Sequence, residues 1–403
     1  MTRRLTLILL AAVIVFAAVI FGISRSQGAA AEYSADLVVQ LNGGDPTGYA
    51  RAYEVREFNF PQDHGAHPEF QTEWWYFTGN LATADGRRFG YQMTIFRRAI
   101  TPTMSDRTSE WASNQVYFGD FAVTNVAEDS FYSSNRFSRG AAGLAGATVD
   151  PRLRVWLENW NITALDDQVT ALQVQAANQT AEGIAYAIDL SVRNEMPIVL
   201  QGDRGLSQKN AEPGNASYYY SMPRLITEGT ITINGQQFSV SGESWLDREW
   251  STSVLGENAV GWDWFSLQLD NGRELMLYYI RLKDGTAEPY SSGTLIEADG
   301  TTIRLPLSAF KIDALDHWTS PRTGTEYPSG WHVEVDAPTG LIVLDIQPLI
   351  RNQELNSVTA YWEGASKFSG TDNGIPVNGY GYVELTGYNT TTGGDRGLSR
   401  QGE

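Results

Sequence analysis

The chain has 403 residues, no cysteine and a formal net charge of −18, with a sequence pI near 4.7. That charge argues against a nucleic-acid partner, which needs clustered Lys and Arg to meet phosphate, and against docking on an anionic membrane surface. The lack of cysteine excludes disulfides, thiolate catalysis, Cys-ligated zinc and a lipid anchor on Cys.

In chain order, the first element is an apolar run. Arg3 and Arg4 precede Leu5–Ile23, which as a helix would span roughly 28 Å, close to the hydrocarbon thickness of a bilayer. The run exceeds a usual signal-peptide core, yet Ala29-Ala30-Ala31 offers a small-residue cleavage site behind it. Two outcomes stay open for residues 1–31: a retained membrane anchor or a cleaved signal peptide. Both place everything after residue 31 outside the cytoplasm. Residues 32–57 are polar, with Gly43-Gly44 and Asp45-Pro46, and read as a linker with at most a short helix.

From Phe58 onward, short alternating runs are cut by turn residues. Asp85-Gly86, Asn234-Gly235, Asn271-Gly272 and Asp299-Gly300 each sit between two such runs, the pattern of a β-hairpin. Helical periodicity is nearly absent. The expectation is an all-β protein of two consecutive antiparallel barrels, residues 58–240 and 241–388, followed by a tail at 389–403. Twelve Trp and 19 Tyr are enough to line a pocket as well as fill cores.

Three stretches carry candidate chemistry. In "GESWLDREWSTS" strand alternation puts Trp245, Asp247 and Glu249 on one face and Leu246, Arg248 and Trp250 on the other. Two carboxyls beside an indole cannot both ionise cheaply, so one keeps its proton as a candidate acid; the competing reading is a buried ion network at the seam between domains. In "QTEWWYF" Glu73 stands beside Trp74 and Trp75, either as an acid at an aromatic-lined pocket or as a strand-end carboxylate paired to Arg97 or Arg98. In "GWDWF" Trp262 and Trp264 share a face opposite Asp263. The candidate acids are therefore Asp247, Glu249 and Glu73, and the candidate binding residues are Trp74, Trp75, Trp245, Trp262, Trp264 and Tyr219. His64 and His67 lack a helix and a third ligand, so no metal is expected, and no cofactor fingerprint is present. There is no nucleophile elbow. Ser207 and Lys209 in "GLSQKN" have the spacing of a Ser–Lys pair, but the preferred reading is a polar loop.

The blocks "HPEFQTEWWYFTGNL", "GRRFGYQMTIFRR", "GDRGLSQKN", "GNASYYYSMPRL", "SWLDREWST", "GWDWFSLQLDNGRELMLYYIR" and "GYGYVELTGY" resemble the AttH-like predicted secreted hydrolases, which are related to hydroxyneurosporene synthase, the carotenoid 1,2-hydratase. The resemblance runs from about Phe58 to Tyr388 and implies two lipocalin-like β-barrel domains. It implies two functions of different class. One is a cofactor-free hydratase, a hydro-lyase acting on a long apolar molecule such as an isoprenoid or carotenoid. The other is a non-catalytic, exported carrier or accessory component of an ABC transport system; the family label also leaves a secreted hydrolase open. Hydrating an alkene requires a proton donor, a stabilised carbocation and a water. A protonated carboxyl supplies the first, and aromatic faces stabilise a cation by about 0.5–2 kcal/mol each.

Overall fold

The computed structural model describes residues 45–389, apart from 104, 105, 107, 254 and 356–360. The apolar run, the cleavage motif and residues 390–403 of the tail lie outside these described residues. Among the described residues no helix is long and apolar enough to cross a membrane. The described part of the linker, residues 45–57, carries no helix.

The chain is built of antiparallel strands with single 3₁₀ turns at Gln62–His64, Val126–Glu128 and Leu307–Ala309. The first sheet comprises β1 (Thr72–Ala82), β2 (Arg88–Ala99), β3 (Gln115–Asn125), β4 (Ser130–Arg139), β5 (Ala145–Thr148), β6 (Arg154–Leu157), β7 (Trp160–Ala164), β8 (Ala171–Gln179), β9 (Ala185–Asn194), β10 (Val199–Leu200), β11 (Leu206–Gln208), β12 (Ala216–Ile233) and β13 (Gln236–Ser251). Its strands run in the order β4-β3-β2-β1-β13-β12-β9-β8-β7-β6-β5, with β10 and β11 flanking β12. The sheet curls until its two ends meet: Tyr186 on β9 donates to Ser134 Oγ on β4 at 2.6 Å, and Arg136 Nη2 on β4 donates to Ala177 O on β8 at 3.1 Å.

The second sheet comprises β14 (Ala259–Leu269), β15 (Glu274–Leu282), β16 (Ser292–Ile296), β17 (Thr302–Pro306), β18 (Phe310–Ala314), β21 (Trp331–Ala337), β22 (Gly340–Pro348), β23 (Trp362–Asp372) and β24 (Ile375–Leu385), while β19 (His317–Thr319) pairs with β20 (Glu326–Pro328) apart from it. Its two edges, β17 and β18, are joined by the turn Leu307–Ala309, which nearly closes a second barrel. The all-β expectation with two barrels holds. The changeover between sheets lies between Ser251 and Ala259, because β13 pairs with β1 and β12 along its whole length. The boundary expected near residue 240 thus falls inside β13.

The four expected turns all close hairpins. Asn234 and Gly235 have φ of 49° and 82°, so this two-residue turn is the type whose twist matches that of its strands. Asn373-Gly374, with φ of 53° and 77°, closes a fifth between β23 and β24.

Alternation decides what each strand face meets. On β1, Trp75, Phe77 and Leu81 enter the core of the first barrel, with Phe121 and Trp160 among their neighbours. On β14, β15 and β24, Phe265, Leu277 and Val383 enter the second core with Trp331 and Trp362. Both barrel interiors are filled by side chains. The opposite faces of the same strands meet in a third apolar cluster between the barrels, with Tyr76, Phe96, Tyr219 and Trp245 from the first and Trp264, Tyr278 and Tyr382 from the second. Direct bonds join the two bodies, among them Asn80 Nδ2 to Gly381 O at 2.9 Å and Gln268 Nε2 to Ser244 O at 3.1 Å.

Candidate functional site

The stretch Trp245–Trp250 serves two purposes, one on each face of β13. On the first face, Arg248 is fully buried and bonds Glu73, which also receives the guanidinium of Arg97. His67 adds its backbone N–H to Glu73 at 3.0 Å, and its ring stacks on Trp250 with centroids 3.8 Å apart. Although burial alone would raise the Glu73 pKa, Arg97 and Arg248 hold its carboxyl far below the ordinary range. Glu73 is thus an ion-network anchor and not an acid at the cavity described below. Trp75 is also absent from that cavity: its ring lies 4.0 Å from the Arg248 guanidinium carbon, and its N–H donates to His64 O at 2.8 Å. Trp74 and Glu73 are neighbours on β1, so they point to opposite faces and cannot share a pocket.

The other face of β13 opens on a half-enclosed cavity of about 70 Å³ between the barrels. The first barrel supplies Trp74 and Tyr76 from β1, Thr94 and Phe96 from β2, Tyr219 from β12, and Asp247 and Glu249 from β13. The second supplies Trp262 and Trp264 from β14, Tyr278 and Ile280 from β15, and Glu384 from β24. Lys209, just after β11, and Leu255, between the sheets, complete the wall. The cavity sits outside both barrel interiors.

Asp247 is held by uncharged donors. Ser221 Oγ and Trp245 Nε1 donate to Oδ1 at 2.5 and 2.7 Å, and Tyr219 donates to Oδ2 at 2.5 Å. Trp264 Nε1 in turn donates to the Tyr219 oxygen at 3.2 Å. Trp245 therefore stands behind Asp247 as a positioning group. Burial pushes the Asp247 carboxyl up to about 7; the three hydrogen bonds oppose this, and the nearby Glu249 charge adds to it least. The sequence argument gave that repulsion the leading part, whereas loss of water is the larger cause.

Glu249 has a cation of its own. Lys209 Nζ lies 2.9 Å from Glu249 Oε1, and Ser217 donates to the same oxygen. Burial works against the Lys209 charge, but Glu249, Tyr278 and Asp247 together outweigh it and the ammonium pKa is raised. Glu384 borders the cavity opposite, where Trp262 Nε1 donates to its Oε2 at 2.9 Å. Burial pushes Glu384 up to about 8, with the charges of Asp247, Glu249 and Asp120 adding to the effect. Its partner across β23, Glu363, is buried, bonded by Tyr76 at 2.7 Å, and raised by burial and by Glu384.

Of the candidates from sequence, Asp247, Glu249, Trp74, Trp262, Trp264 and Tyr219 meet at this cavity, with Trp245 behind it. Sequence reasoning missed Lys209, Tyr278 and Glu384. The signal for Glu384 was available: in "YVEL" Tyr382 and Glu384 alternate with Val383 and Leu385, an acid on an otherwise apolar strand.

A family model described as AttH-like matches residues 51–388. The chain belongs to the AttH-like family. The crystal structure of a candidate AttH protein from Nitrosomonas europaea, 33% identical, superposes with a TM-score of 0.73 over 84% of this chain and 99% of that one. Kievitone hydratase from Fusarium solani subsp. phaseoli is 24% identical over 240 residues, 56% of this AttH-like chain and 66% of the relative. The crystal structure of kievitone hydratase from Nectria haematococca shares the fold, with a TM-score of 0.60 at 16% identity over 84% of this chain and 95% of that one.

Proposed function

We propose that this AttH-like protein is a hydratase-like enzyme that adds water to an alkene of an apolar, isoprenoid-type molecule held between the barrels. The observation that carries the reading is Asp247, a buried carboxyl with a pKa near 7 and no bonded cation among the described residues, facing an aromatic cavity. The relationship to a protein named a hydratase supports it. In the proposed cycle, Asp247 gives its proton to one alkene carbon. The positive charge left on the other carbon is stabilised by the surrounding rings and by the Glu249 carboxylate. The oxygen of a water adds to that carbon, and the surplus proton of this water returns to Asp247. Alkene and water thus give an alcohol, and the acid is restored.

The test is to incubate the protein with a panel of isoprenoid alkenes in ¹⁸O-labelled water and look for the labelled alcohol by mass spectrometry. Asp247→Asn should lower turnover by about 10²-fold or more. Undiminished turnover by that variant would remove Asp247 from the role. No labelled product from any alkene, together with a co-purifying apolar ligand, would favour the carrier function instead. We further propose that residues 1–31 direct export; fractionating cells that express the full chain and a chain starting at residue 32 tests this, and equal cytosolic retention would refute it.

A further inference from the structure

The cavity already contains one cation, and the way that cation is held shows what the site recognises. The Lys209 ammonium sits 2.9 Å from Glu249, 3.2 Å from Ser207 Oγ, and 4.7 and 5.5 Å from the ring centroids of Tyr278 and Tyr219. A carboxylate and two aromatic faces are the usual elements of organic-cation recognition. Lys209 is bonded to one of the three cavity carboxyls only. Asp247 is held by neutral donors. Glu384 is bonded by Trp262 through Oε2. Beside these two carboxyls stand Trp74, Tyr76, Trp262 and Trp264. Two carboxyls and four aromatic side chains thus border the same cavity as the Lys209 ammonium.

We propose that this second half of the cavity binds apolar organic cations, molecules carrying a quaternary or protonated tertiary ammonium on a hydrocarbon or aromatic body. The inference rests on the reading of the cavity as the reaction site, since a stable ammonium copies the transient carbocation of the proposed hydration. An enzyme complementary to such a transition state binds its stable mimic more tightly than a neutral molecule of the same shape.

The charged and titratable surroundings set a pH signature. Asp247 faces Tyr219 on β12 and has Glu249 and Lys209 nearby. Glu384 faces Glu363 on β23, has Asp247, Glu249 and Asp120 within electrostatic reach, and lies near Tyr76, Tyr361 and Tyr382, which bond Glu363 and Asp120. Lys209 is the one cation among these groups. Burial keeps Asp247 near about 7 and Glu384 near about 8. A permanent cation favours the ionised carboxyls, so its affinity rises as pH increases through that window.

The experiment compares benzyltrimethylammonium with neopentylbenzene, its neutral carbon isostere, by quenching of tryptophan fluorescence in the full-length protein. The expected result is an affinity at pH 8 at least about tenfold higher for the cation, rising about tenfold or more between pH 6 and pH 9, with the neutral probe unchanged. The double variant D247N/E384Q should abolish both the preference and the slope; if it fails to fold, the pH series of the unaltered protein decides alone. Equal binding of the two probes, or a pH-independent preference for the cation, would overturn the proposal. Labelled-water turnover without cation preference would leave the hydratase reading standing and this inference refuted; cation preference without turnover would do the reverse.

Discussion

Replacing Asp247 by Asn separates chemistry from architecture through stability alone. The folded pKa near about 7, against an ordinary 3.8, means that the folded chain binds this proton more tightly than the unfolded chain does. The group therefore costs nothing below the unfolded value, costs progressively more as pH rises from about 4 to 7, and costs most above 7. The gap corresponds to about 4 kcal/mol at full ionisation, as an order of magnitude. Asn cannot ionise, keeps the shape, still accepts from Ser221 and Trp245, and offers an N–H to the Tyr219 oxygen. D247N should match the parent at pH 4 and exceed it by up to about 4 kcal/mol at pH 8. Urea unfolding followed by tryptophan fluorescence across that range measures the difference. A variant less stable than the parent at pH 8 would show that Asp247 belongs to a charge network the fold needs, and the acid role would fall with it.

Glu73→Gln should have the opposite sign: Arg97 and Arg248 lose their shared buried carboxylate, at a cost of about 3–5 kcal/mol near neutral pH. Because the Glu73 pKa is lowered, that cost should shrink as pH falls below the ordinary glutamate value, and thermal melts at pH 7 and pH 4 would reveal a failure of this sign. Trp245→Phe removes a donor 2.7 Å from Asp247 and raises the folded pKa, so the stability loss that ends near pH 7 in the parent should run about one pH unit higher; an unmoved end point would exclude the indole as a positioning group. Gly235→Ala, at φ of 82°, should cost about 1 kcal/mol with the cavity chemistry unaltered, and a neutral melt would show that the turn is not the left-handed one described.

The hairpins were legible because Asn-Gly and Asp-Gly turns are local, and the face of Asp247 was legible because alternation along six residues needs no partner strand. Glu73 shows where that economy ends. Its proximity to Trp74 in sequence suggested a shared pocket, yet the alternation used for Asp247 already separates the two. Arg97 on β2 was one of the partners the sequence offered, whereas Arg248 comes from β13 and its arrival depends on register. Lys209 illustrates a longer-range limit: nothing in "GLSQKN" marks it as buried, and it reaches Glu249 because β11 pairs with β12 next to β13. The seam was misplaced for a related reason, since the charged end of β13 resembles the start of something new rather than the end of a strand of 16 residues.

Because the cavity is walled by the outer faces of two barrels whose interiors are packed independently, the shape of the cavity and foldability are written on different side chains. Trp74, Phe96, Trp264 and Tyr278 border the cavity, while their neighbours Trp75, Ile95, Phe265 and Leu277 fill cores. A lineage can therefore exchange the first set and reshape the cavity while the barrels that carry it remain intact. This scaffold is evolvable at its seam.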